Sequence, residues 1–177
     1  MLFGLFGNRY ATKYRVYHYG VDFSHVQVNG AYETPERFVD AFVGINKLLE
    51  WERSKYDFRR MIGNYTLELT PSIVLLERIN LAELKTTSFR LPELPVEEIV
   101  RQYELPQTDG RGFVLIARKL DKQQETAFYY VVLFDVATRT ILHLSEASAR
   151  SHGIGLRNYW ANTIYNVIKT SEIRLNR

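Results

Sequence analysis

Phe113-Val114-Leu115-Ile116-Ala117, Ala127-Phe128-Tyr129-Tyr130-Val131-Val132-Leu133-Phe134 and Thr140-Ile141-Leu142-His143-Leu144 are the runs whose reading decides the fold. Short apolar runs bounded by turn signals read as buried strands, and aromatic and β-branched residues suit a pleated surface. The links between them are short and polar: Asp121 to Gln124, then Asp135-Val136-Ala137-Thr138-Arg139. Consecutive strands on short loops predict an antiparallel meander. Ser148 to Gly155 reads as too small and flexible for a strand. After it, Leu156, Tyr159, Trp160, Thr163, Ile164, Val167 and Ile168 recur at helical spacing, with Asn158, Asn162, Asn166 and Lys169 on the opposite face.

Upstream, Tyr14 to Tyr19 and Val21 to Val28 alternate like strands with one wet face, with Gly20 as a bulge or bend between them. In the second run the period of two sets Val21, Phe23, His25 and Gln27 against Asp22, Ser24, Val26 and Val28. Thr34-Pro35-Glu36 opens a helix with a cap, a proline at N1 and an acid in the first turn. Phe38, Ala41, Phe42, Ile45, Leu48 and Leu49 continue it to about Lys55, and Gly44 marks a place for close packing. Tyr56 to Ile62 extends that helix or forms a separate turn. Tyr65 to Leu69 alternates as a strand. Residues 71–80 fit a helix capped at Thr70-Pro71-Ser72, or a strand. Residues 86–112 are an irregular connection broken by Pro92 and Pro95, with a short helix on Val96, Ile99, Val100 and Tyr103.

These patterns predict a single α+β domain over residues 1–177. Its sheet is antiparallel, of about five or six strands, with two main amphipathic helices packed on it. The chain is 177 residues, long enough for a self-sufficient core, and its 12 Tyr and 10 Phe favour a sheet-rich one. It has no cysteine, which excludes disulfides, a thiolate nucleophile and a cysteine metal site. That composition favours the cytoplasm. Residues 1–10 carry a short apolar segment without a basic lead, read as a terminus that docks on the domain rather than a leader or an anchor. No run approaches a membrane span. The net charge of +3 comes from dispersed Lys and Arg, so there is no strong nucleic-acid signal.

Two segments stand out. Gly20-Val21-Asp22-Phe23-Ser24-His25 and Gly153-Ile154-Gly155-Leu156-Arg157-Asn158-Tyr159-Trp160 together resemble an uncharacterised bacterial family. Its pattern is a Gly-hydrophobic-Asp-Phe-Ser/Thr stretch near the start and a Gly-x-Gly-aromatic-Arg-Asn-Tyr-Trp helix at the end. This chain has Leu156 where the pattern has an aromatic residue. The resemblance implies no activity.

Physically, Gly153 and Gly155 before a helix start would bare N–H groups to an anion, with Arg157 as counter-charge. The structural alternative is that the glycines let the chain turn onto the sheet. Asp22 or Ser24 with His25 would orient a base, joined by His152 only if the chain ends meet. The alternative is that Asp22 and Ser24 satisfy backbone groups while His25 packs against a helix. No nucleophile elbow, zinc-spaced histidine pair or cofactor motif is present, so no metal or cofactor is expected.

The expectation is therefore a non-enzymatic binding or protein-interaction module, with a protein partner or self-association favoured. Its surface lies on Asp22, Ser24, His25, His152, Gly153, Gly155, Arg157, Asn158 and Tyr159. The alternatives are a small-molecule hydrolase using His25 or His152, and a weak nucleic-acid binder.

Overall fold

A computed structural model describes residues 15–62, 66–69 and 78–173. The apolar segment 1–10 and residues 71–77, where helix and strand compete, lie outside the described residues. The elements run β1 (Arg15–Asp22), β2 (Gln27–Asn29), α1 (Pro35–Trp51), α2 (Arg59–Ile62), β3 (Thr66–Leu69), α3 (Leu81–Leu84), β4 (Lys85–Thr86), α4 (Val96–Arg101), β5 (Arg111–Asp121), β6 (Thr126–Asp135), β7 (Ile141–Arg150) and α5 (Leu156–Thr170). The chain is α+β.

The sheet is mixed, which corrects the antiparallel expectation. β5, β6 and β7 form the predicted meander. The other edge of β5 is covered by parallel partners, β1 along its first half and β2 along its end, and these pair in parallel with β3 and β4. Parallel neighbours require a crossover, and α1 lies in the connection between β2 and β3. Alternation within a strand says nothing about which neighbour it takes.

β1 and β2 are one strand position interrupted twice. Gly20, at φ 84°, sits in a bulge, so that His18 faces Phe113 and Val21 faces Leu115. The amide of Asn46 on α1 reaches this bulge, accepting from Val21 N and donating to Val21 O, both at 2.9 Å. At the second break Asp22 Oδ1 accepts from Ser24 N (2.8 Å) and Val26 N donates to Phe23 O (3.2 Å). That turn puts Phe23 and Val26 both in the core, where a strict period of two had separated them.

β7 also corrects the reading, running on to Arg150 through residues expected to be loop. Along it Ala147 and Ala149 face inward beneath α5, where small side chains let the helix come close, while Glu146, Ser148 and Arg150 are exposed. α1 ends at Trp51, short of Lys55, and the turn after it returns Tyr56 and Phe58 to the core before the separate α2.

The two faces of the sheet differ. One is covered by α1 and α5 in a large apolar layer that includes Phe38, Phe42, Ile45, Trp160, Ile164 and Val167. Within that layer Thr163, the one polar residue of the α5 stripe, donates to Trp160 O and shares a 2.7 Å hydrogen bond with the Tyr129 hydroxyl.

The other face carries Tyr17, Tyr19, Val114, Ile116, Val132 and Phe134 beneath α4. A bulge at Arg118 of β5 turns two consecutive charged side chains towards the irregular connection. Arg118 Nε donates to Pro92 O (3.0 Å), and Lys119 Nζ donates to Ser88 O (2.8 Å). Lys119 also lies 3.3 Å from Asp121 Oδ2, both side chains being buried.

Candidate functional site

Asp22 is held by structure on both oxygens. Oδ1 closes the turn on Ser24, and Oδ2 accepts from the Tyr103 hydroxyl at 2.6 Å. Burial, and then the carboxylate it donates to, hold the Tyr103 phenol well above its ordinary pKa. The Ser24 hydroxyl is buried with no hydrogen-bond partner among the described residues. His25, at the tip of the turn, is exposed rather than packed against a helix. Ser24 and His25 line a cavity of about 280 Å³ whose other walls include Arg78, Asn80, Glu83 and Leu94.

Gly153 and Gly155 have φ of 119° and 82°, left-handed values that glycine adopts without strain. They turn the chain from β7 into α5, which starts with no side-chain cap. Gly153, Gly155, Leu156, Tyr159 and Trp160 line a second cavity of about 170 Å³, closed on its other side by Ala31, Glu33 and Lys122. None of the residues lining this cavity lines the one around His25.

Arg157 does not turn to the glycine loop. Its aliphatic stem lies over Gly44 of α1, where an added Cβ would stand 2.8 Å from Arg157 Cδ. Its Nε donates to Asn158 Oδ1 (3.0 Å), so these two candidates pair with each other on the helix surface. The cation beside the loop is Lys122, whose Nζ is 3.4 Å from the centroid of the Tyr159 ring. The Tyr159 hydroxyl and Trp160 Nε1 are buried with no hydrogen-bond partner among the described residues. His152 is exposed in the same loop.

Three connections meet here. Lys122 N donates to Asn29 O (2.9 Å) and Ser151 N to Glu125 O (2.8 Å), tying the chain after β2, the β5–β6 hairpin and the β7–α5 loop together. On the tips of this junction stand Tyr32, fully exposed, and Ile154, 92% exposed, the two most exposed large hydrophobic side chains among the described residues. Their immediate chain neighbours, Ala31 and Glu33 for one and Gly153 and Gly155 for the other, line this one cavity. Sequence reasoning found the glycines and Tyr159 but missed Tyr32, Glu33 and Lys122, which come from two other loops. Tyr32 lies two residues after Gly30 of the Asn29-Gly30 turn, and that position was the available signal.

Of the remaining histidines, His18 is buried between Phe58 (ring centroids 3.9 Å apart) and Phe113 (5.2 Å), and burial lowers its pKa to about 3. No group of three or more His, Asp or Glu able to hold a metal ion occurs among the described residues. None of the described helices is long and apolar enough to cross a membrane. No protein-family model matches the chain, and neither a curated protein nor a solved structure is significantly similar to it.

Proposed function

We propose that this chain is a non-enzymatic protein-interaction module, whose recognition surface is the junction of the three connections around Gly153 to Tyr159. The observation that carries this reading is the pair Tyr32 and Ile154, fully or almost fully exposed and each flanked in the chain by residues that line one cavity. Burying such a side chain gains roughly 1.5–3 kcal/mol. A partner that covers both recovers that free energy, and the tied loops beneath hold the two residues in place before it arrives. Lys122, Glu33 and the uncapped start of α5 supply polar groups around the apolar pair. Recognition surfaces commonly combine an apolar centre with such a polar rim.

The test is the double variant Tyr32→Ser, Ile154→Ser. Both side chains are outside the core, so the melting temperature should stay within a few degrees of the native value. In affinity capture from cells producing the chain, a protein retained by the native form should be lost from the variant. The proposal fails if native and variant chains retain the same proteins.

A further inference from the structure

Beyond the loop junction, we infer that the free edge of β7 pairs with the β7 edge of a second copy of this chain, antiparallel about a two-fold axis at Ser148. β7 is ten residues long and among the described residues pairs only with β6.

Which of its backbone groups face outward follows from the ladder. Ser151 N donates to Glu125 O, one step beyond the Thr126–Arg150 pair, so the odd-numbered residues at this end of the strand turn their main chain towards β6. The even-numbered ones, Leu144, Glu146, Ser148 and Arg150, point theirs outward. Arg150 O is consistent with this, since it accepts from the Asn166 side chain on α5 (3.1 Å) and not from β6. A row of outward N–H and C=O groups is a template for another strand.

The side chains select the occupant and the register. Outward residues must face outward residues, so a two-fold axis pairs even with even. Centring on Glu146 would set Glu146 against its own copy, which repels, and centring on Ala147 would set Glu146 opposite Ser148 and Arg150 opposite Leu144, with no pair of opposite charges. Centring on Ser148 sets Glu146 opposite the partner's Arg150 and Arg150 opposite the partner's Glu146, with Ser148 meeting itself on the axis. The side chains of Glu146, Ser148 and Arg150 are all exposed on one face of the strand. Glu146 already holds Arg118 Nη1 at 2.9 Å and keeps 67% of its side chain exposed, leaving room for a second guanidinium. This self-complementarity is what a symmetric interface requires.

Sedimentation of the native chain and of charge reversals tests the pairing. Arg150→Glu alone turns two attractive cross-strand pairs into repulsive ones and should weaken dimerisation about tenfold or more. The double variant Glu146→Arg, Arg150→Glu should return most of that loss.

Glu146→Arg also disturbs the buried Arg118, so a second measurement stands apart from it. The chain has no cysteine, and Ser148→Cys on the axis should form an intermolecular disulfide on mild oxidation. Facing residues of a hydrogen-bonded antiparallel pair are about 5.5 Å apart at Cα, within disulfide reach. Cysteine at Leu144 should crosslink far less. The inference is overturned if the native chain stays monomeric at every concentration it tolerates. It is equally overturned if Ser148→Cys and Leu144→Cys crosslink alike.

Discussion

The two faces of the sheet differ in the balance between apolar packing and polar ties. Beneath α1 and α5 a large ring-rich layer dominates, with Phe23 stacked on Phe42 at 4.1 Å and Trp160 buried, and the ties of Asn46 to Val21 and of Thr163 to Tyr129 are set within it. Beneath α4 and the irregular connection, a smaller apolar patch is supplemented by directed polar ties: Tyr103 to Asp22, Tyr19 to Gln107, Arg118 to Pro92 and Lys119 to Ser88. Apolar contacts are non-directional and tolerate compensating changes. A buried polar tie behaves differently, because removing one partner strands the other.

The largest effect is expected at Lys119. Lys119→Ala removes the cation beside the buried Asp121 and releases Ser88 O, so a loss of roughly 3–5 kcal/mol is expected in urea unfolding. Hydrogen exchange should also rise in residues 86–95 ahead of the rest of the chain. On the opposite face, Ile45→Ala leaves a cavity and should cost about 2–4 kcal/mol, lowering stability globally without selective exposure of any one segment.

Tyr103→Phe is a narrower test. It deletes one hydroxyl and leaves Asp22 Oδ2 without that donor, for a loss of about 1–3 kcal/mol.

The smallest effect sharpens the contrast by titrating the apolar face. His18 stays neutral in the folded protein down to about pH 3, whereas an unfolded histidine takes up a proton near pH 6.5. The unfolded state therefore binds more protons below pH 6.5, and stability falls as the pH drops. The slope approaches 1.4 kcal/mol per pH unit at most. Measured between pH 6.5 and 5, above the ordinary carboxylate range, this slope should be reduced in His18→Phe.

Much of this architecture was legible in the residues. The spacing from Phe38 to Leu49 and from Leu156 to Ile168 marked the helix faces, and the runs around Leu115 and Val131 marked the centre of the sheet. What was hidden is non-local. Nothing near Val16 says that it lies parallel to β5, because strand pairing is chosen by the crossover and not by the strand.

The turn from Asp22 to Val26 and the bulge at Arg118 shift side chains between faces. Period counting therefore put Val26 with the polar set and stopped β5 before its two buried cations. The site followed the same rule. Gly153, Gly155 and Tyr159 share one continuous segment and could be read together. Tyr32 and Lys122 join them only through the folded loops. Arg157, the natural charge partner by sequence proximity, was carried away by the helical turn onto Gly44.

The most direct test of the proposed role is site-specific photo-crosslinking of the full chain in the cells that produce it. A photoreactive residue would be placed at position 154 and, as the comparison, at Glu97, an exposed site on α4. A discrete protein adduct is expected from position 154, diminished by Tyr32→Ser, and none from position 97. Equal adducts from both positions, or none from position 154, would contradict the recognition surface described above.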